Sequence, residues 1–173
     1  MADMEFTPTP VPDHLDPDIV AAIPDDVPES ALVGYVVDQW KTFGGERATL
    51  AVMPTPIRAW YLTFVVDSEV LNGGSNQLFY NETAAASEDA AIAFETVGLP
   101  LRADLMRRAL GIYRDRRPAL DAAKKRGSIE AFMDTYTDNA FAALDAEYIA
   151  HETDFRVRRV RFLRQETPRI RHP

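Results

Sequence analysis

The sequence predicts an all-α fold, a single-domain bundle of about seven helices, and three observations support this prediction. Apolar residues recur at helical spacing through most of the chain after residue 28. Proline and glycine fall where helices begin and end. Outside 155–165, no segment alternates apolar and polar residues as a strand does. With 173 residues and 46% hydrophobic content, the chain is long enough to bury one core.

Local signals place the helices along the chain. The first follows Ser30 and ends at Gly44, and the second begins at Thr55 and Pro56 and ends near Asn72. Segment 155–165 alternates partially, but Pro168 fits a helix stop, so a helix is favoured there. The helix after Ser128 has an apolar stripe that continues to Tyr148. Further starts are indicated at Ser75, Ser87 and Pro100, and further stops at Gly98, Pro118 and Gly127.

Three segments are expected: an extended acidic arm over 1–28, a helical domain over 29–168, and a tail over 169–173. The arm is rich in proline and poor in apolar residues, which disfavours regular structure. The net charge of −8 is uneven, because residues 1–100 hold 16 acids and three bases while 101–173 hold 11 acids and 16 bases. This asymmetry predicts an interaction surface.

Composition argues against several functional classes. There is no cysteine, which excludes disulfides, thiolate metal sites and a cysteine nucleophile, and the three histidines lie far apart in sequence. We therefore expect no metal and no cofactor. No apolar run is long enough for a membrane span, and the first residues lack a signal peptide pattern, so a cytoplasmic protein is expected. No cofactor motif or nucleophile is present, so we do not expect an enzyme.

The stretch EVLNGGSNQLFYN combines an acid, amides and a glycine pair between apolar runs. One interpretation is a working site, with the acid as a general base among orienting amides. However, the stretch lacks the lysine of a phosphate loop and the three glycines of a dinucleotide fingerprint. We favour a helix corner, with at least one glycine at positive φ and the acid bound by the N–H groups that open the helix at Ser75. The structural motif then consists of Glu69, Asn72, Gly73, Gly74, Gln77 and Asn81.

This stretch, with RAWYLTFVVDS before it and GLPLRADLMRRALGIY after it, resembles the bacterial DNA-mimic protein family over about residues 50–168. The resemblance extends to LDAEYIAHETDF and FLRQETP near the end. It implies an all-α fold, a homodimer, and a role in imitating duplex DNA to occupy a transcription regulator. Ser75 stands where the family pattern has an aromatic residue.

A DNA mimic needs carboxylates in rows without intervening cations, because its target uses Lys and Arg to neutralise phosphates. Glu130, Asp134 and Asp138 are spaced four residues apart, about 6 Å along a helix axis, on the side away from the apolar stripe. We predict an acidic face that binds a basic protein such as a transcription factor. Its residues are Glu130, Asp134, Asp138, Asp145, Asp13, Asp16, Asp18, Asp25, Asp26 and Glu29.

The alternatives are a binding module of another kind, such as an immunity or antitoxin-like protein, or direct nucleic-acid binding through the basic C-terminal half. The second is disfavoured, because these bases are expected to pair, within or between subunits, with acids of the first hundred residues. They are Arg114, Arg116, Arg117, Lys124, Lys125 and Arg126, and the arginines at 156, 158, 159, 161, 164, 169 and 171.

Overall fold

The computed structural model describes residues 29–151 and 155–166, and these form eight helices without a strand. The predicted all-α fold is confirmed. The proposed arm over 1–28 and the tail over 169–173 lie outside the described residues. The helices are α1 (Ser30–Phe43), α2 (Glu46–Val52), α3 (Thr55–Asn81), α4 (Glu88–Thr96), α5 (Pro100–Arg126), α6 (Ile129–Asp134), α7 (Ala142–Ala150) and α8 (Phe155–Glu166).

Most predicted helix boundaries agree with the structure because local rules set them. Gly44 adopts φ 84° after α1, and its N–H bonds the Trp40 carbonyl oxygen at 2.9 Å. Gly127 adopts φ 65° after α5, and Pro100 opens that helix. Ser128 caps α6 by accepting the Ala131 N–H at 3.2 Å. The predicted helix over 155–165 is confirmed as α8.

Two local features differ from the sequence analysis. The short helix α2 was not predicted, and Pro118 does not interrupt α5, which continues from Pro100 to Arg126. Pro118 is exposed. Water can therefore bond the carbonyl group that loses its helical N–H partner there.

The single long helix predicted from Ser128 to Tyr148 is also wrong, because α6 ends at Asp134 and α7 starts only at Ala142. Short polar side chains bond the backbone between them. Thr135 Oγ1 donates to the Phe132 carbonyl at 2.6 Å, and the Phe141 N–H donates to Asn139 Oδ1 at 3.1 Å. Such bonds compete with helical ones. Ile129 and Met133, predicted on an inward stripe, are exposed at 72% and 59%.

The long helix α3 is the centre of the bundle and contacts α4, α5, α7 and α8. Its fully buried residues include Trp60, Leu78 and Phe79, and Phe79 stacks on Tyr113 of α5 with 4.3 Å between ring centroids. The core therefore depends on α3 keeping its shape on both sides of its glycine pair. Within the described residues, no helix is long and apolar enough to cross a membrane.

Candidate partner interface and polar clusters

The predicted row of carboxylates is not a cation-free row. Asp134 lies at the end of α6 and pairs with Arg126 at 3.0 Å, and Asp138 lies beyond that helix and pairs with Arg116 at 3.0 Å. Glu130 lies in the first turn of α6, where backbone N–H bonding and the Ser128 hydroxyl lower the pKa of its carboxyl. The helix break removes the even spacing, and two arginines of α5 supply the missing cations. The row therefore does not form the predicted surface.

Asp145 is also not part of an acidic face, because it is buried, with 8% of its surface exposed. It accepts hydrogen bonds from the Ser75 N–H at 3.0 Å and from Ser75 Oγ at 2.6 Å. Burial raises the pKa of its carboxyl, although both bonds from Ser75 act to lower it. Asp145 thus has the role that the sequence assigned to Glu69, that of the acid at the start of the second half of α3.

The glycine pair bends α3 at the predicted corner. Gly74 has φ 73° and ψ 179°, which confirms the expected positive φ at one of the two glycines, while Gly73 has φ −149°. A Cβ at Gly74 would lie 2.4 Å from Asp145 Oδ2. The hydroxyl of Tyr136 donates to the freed Gly73 carbonyl oxygen at 2.8 Å. Close approach by Asp145 therefore requires glycine at 74, in addition to its backbone angle.

Glu69 connects the two halves of α3 by a different route from the predicted one. Its Oε2 accepts from Gln77 Nε2 and from Asn81 Nδ2, each at 2.8 Å. Gln77 was expected to bond helix-end carbonyls, and instead it bonds this carboxylate. Asn72 is exposed. Sequence reasoning missed Asn76, which is buried and donates to Thr135 Oγ1 at 2.7 Å, although it lies inside the quoted motif.

Glu29 was predicted to bind a partner, but it is buried, with 6% of its surface exposed. Arg159 donates to both of its carboxylate oxygens, at 3.1 and 2.8 Å, and Trp60 Nε1 donates to Oε1 at 2.8 Å. These bonds therefore fix Glu29, the first residue after the proposed arm, to the core.

Asp67 shares the same arginine. Its carboxylate accepts from Arg159 Nη1 and from the Tyr148 hydroxyl. Burial acts to lower the pKa of Arg159, but Glu29 and Asp67 outweigh it and raise that pKa. Burial, followed by the Asp67 charge, raises the pKa of Tyr148. Sequence reasoning did not separate Arg159 from the other C-terminal arginines. The available signal was its spacing. Arg159 lies four residues from Phe155 and four from Leu163, which places it on the apolar side of α8.

Most bases of the predicted basic patch on α5 pair with acids of the protein itself, but only Arg114 and Lys124 pair with acids of the first hundred residues, as predicted. Arg114 pairs with Glu88 at 2.5 Å, and Lys124 pairs with Glu82 at 2.7 Å. Arg116, Arg117 and Arg126 pair with Asp138, Asp121 and Asp134. Among the described residues, no group of histidine and acidic side chains is suited to hold a metal ion.

The fold and its clusters define an all-α bundle whose internal acids maintain a kinked central helix. Residues 51–166 match the family model described as DMP19-like protein. The match covers more than half of the chain, so this protein belongs to the DMP19-like family, which is a DNA-mimic family. No curated protein and no solved structure matches the chain.

Proposed function

We propose that this protein is a non-enzymatic, acidic binding protein that imitates the charge of DNA toward a basic, DNA-binding partner such as a transcription regulator. Membership of the DMP19-like family supports the class of function. The distribution of charge supports the choice of surface. We assign the binding surface to residues 1–28 in place of the predicted row of Glu130, Asp134 and Asp138.

One observation carries this assignment. Residues 1–28 contain seven acids and no lysine or arginine, whereas residues 29–173 contain 20 acids and 19 bases. Nearly all of the net charge of −8 therefore belongs to the first 28 residues. The Lys and Arg side chains of a DNA-binding surface neutralise successive phosphates. The carboxylates of residues 1–28 offer such a surface negative charge that no lysine or arginine of the segment compensates. The partner-binding acids are Asp13, Asp16, Asp18, Asp25 and Asp26.

The folded part supports the assignment by what its acids already do. Asp67 and Asp145 are buried in hydrogen-bonded clusters, and Asp134 and Asp138 face arginines of α5. A partner's cation would have to displace those arginines, whereas the sequence of the first 28 residues contains no cation to displace. The homodimer implied by the resemblance stays a prediction.

The experiment is affinity capture from extract of the native cell, with the immobilised full chain eluted by duplex DNA. The test variant changes Asp13, Asp16, Asp18 and Asp25 to Asn. The control removes the same charge from four exposed acids of the folded part that make no ion pair with a described residue, by changing Asp38, Asp89, Asp115 and Glu130 to the matching amides.

We expect the wild type and the control to capture a basic protein that duplex DNA releases, and the test variant to capture at least about tenfold less. Exposed substitutions of this kind cost little stability, so the fold is expected to survive in both variants. Equal capture by the test variant and the wild type contradicts the assignment to residues 1–28. Retention of duplex DNA by the wild type itself would favour the alternative of direct nucleic-acid binding.

A further inference from the structure

A basic groove lies between α8 and the junction of α4 with α5. It consists of two adjoining cavities of about 190 and 490 Å³ that share Gly98 and Arg158. The junction forms one wall of the groove, and α8 contributes Arg158, Arg161, Phe162 and Gln165 to the other.

The groove has two cations that pair with no acid among the described residues. Arg158 and Arg161 are exposed, lie three residues apart on one side of α8, and form no ion pair with a described residue. His151 lies at the rim of the smaller cavity. Leu99 precedes α5 without a side-chain cap, so the positive end of that helix adds to the potential of the same wall. Glu166 is at the far end. The arginines of α5 differ, because acids of neighbouring elements pair with most of them.

We propose that this groove binds the acidic residues 1–28 of its own chain when no partner is present. The inference rests on the proposed function, because the same acids then serve both the groove and the partner. Charge complementarity supports it, since the segment carries seven acids and no lysine or arginine. Connectivity supports it as well. The segment joins the fold at Glu29, which is bound at 2.8 Å by Arg159, the neighbour of Arg158 on α8. The tether therefore begins beside α8, the helix that forms one wall of the groove.

Docking in the groove makes partner binding a competition. A basic partner must replace Arg158 and Arg161 as counter-charges, and its apparent affinity falls in proportion to the docked fraction. A protein with fewer cations than the partner surface would not displace the segment. The groove thus selects for strongly basic partners and keeps the acidic segment from weaker contacts.

The absence of cysteine from the chain allows a direct test without a partner. Two cysteines are introduced into the full chain, Ala21→Cys in the segment and Thr96→Cys at the groove, and both are labelled for fluorescence energy transfer. The test background carries Arg158→Glu and Arg161→Glu. The control background carries Lys41→Glu and Lys125→Glu. These reverse the same number of charges at exposed bases outside the groove.

We expect high transfer at low salt in the wild type and the control, and loss of that transfer in the groove variant and at about 1 M salt, where screening extends to about 3 Å. Equal transfer in all three proteins overturns the proposal, as does equal loss in both variants. Transfer that grows with protein concentration also overturns it, because the segment would then dock on a second copy.

A second measurement separates this proposal from the proposed function. Poly-L-lysine serves as a basic probe, and we expect the groove variant to bind it roughly fivefold to tenfold more tightly than the control variant does, because its segment is already released. Equal affinity for the probe contradicts competition. If partner capture is unaffected by neutralising residues 1–28 while energy transfer behaves as expected, the proposed function fails and groove docking stands.

Discussion

The acids of the folded bundle and the acids of residues 1–28 differ in the partners that the protein offers them. Within the bundle, Asp67 and Glu29 share Arg159, Asp145 binds Ser75, and Asp134 faces Arg126. In the first 28 residues, seven acids occur without a lysine or an arginine. The difference shows that net charge alone does not locate an interface, because most acids after residue 28 are balanced in number by bases.

The two buried acid sites show the same contrast on a smaller scale. Glu29 and Asp67 are both bound by Arg159, which lies between their carboxylates. Asp145 is bonded by neutral donors of Ser75, and burial raises the pKa of its carboxyl. The two sites therefore differ in their donors, because a cation binds the first pair of acids and only neutral groups bind Asp145.

Removing the shared cation is expected to have the largest effect. Arg159→Met leaves Glu29 and Asp67 as buried carboxylates without a counter-charge, so we expect a loss of about 3 to 5 kcal/mol in the free energy of unfolding. Urea denaturation at neutral pH measures it. The neighbouring Arg158→Met, which removes an exposed arginine of the groove, is expected to lower stability by no more than about 1 kcal/mol, including any loss of docking. Similar losses for both variants would mean that the cluster does not depend on its ion pairs.

The glycine kink is expected to show the next largest effect. Gly74→Ala combines a left-handed backbone with a Cβ placed 2.4 Å from Asp145 Oδ2, so a loss of about 2 to 4 kcal/mol is expected. Gly111→Ala is the matched control, because nothing lies within 4 Å of a Cβ there and its helix favours alanine. Thermal unfolding of both variants checks this. An unchanged melting temperature for Gly74→Ala would contradict the packing of Asp145 against the kink.

The protonation of Asp145 gives a smaller, pH-dependent effect. Its pKa is raised in the folded protein, so the folded state binds the proton more tightly than the unfolded state does. Asp145 therefore contributes stability that is present below its unfolded pKa and is lost as pH rises through its folded pKa. Compared with Asp145→Asn, the wild type should gain stability as pH falls through that range. Urea denaturation of both proteins between pH 3 and 7 measures the difference, and a constant difference would show that Asp145 does not titrate as described.

The surface pairs of the former acidic row should have the smallest effect. Asp134→Asn together with Asp138→Asn removes the partners of Arg126 and Arg116. Both acids are exposed, because 61% of the Asp134 side chain and 84% of the Asp138 side chain are accessible to solvent. Exposed ion pairs contribute about 0 to 1 kcal/mol each, so the double variant, which removes two pairs, should lose no more than about 2 kcal/mol. Chemical denaturation checks the stability. A larger loss would indicate that these acids hold the α6–α7 connection in place.

The sequence predicts the features that depend on near neighbours. The stop at Gly44, the cap at Ser128, the opening of α5 at Pro100 and the positive φ at Gly74 all follow from local backbone chemistry. For the same reason the kink was located correctly from the glycine pair, and its motif residues Glu69 and Gln77 do meet.

Features that depend on distant residues could not be predicted in this way. Asp145 reaches Ser75 from 70 positions along the chain, and Arg159 reaches Glu29 from 130 positions. Composition cannot show which of several arginines turns inward. Pro118 and the break after Asp134 depend on exposure and on local polar side chains, which compete with helix formation only in the folded context.

The most direct test of the central claim is the salt dependence of binding to the captured partner. The dissociation constant is measured from about 0.05 to 0.5 M salt for the wild type, for the variant neutralised at Asp13, Asp16, Asp18 and Asp25, and for the variant neutralised at Asp38, Asp89, Asp115 and Glu130. We predict that affinity falls steeply with salt for the wild type and the second variant, and that the first variant binds weakly with a much shallower dependence. The same steep dependence in the first variant as in the wild type would contradict the claim that residues 1–28 carry the DNA-like charge.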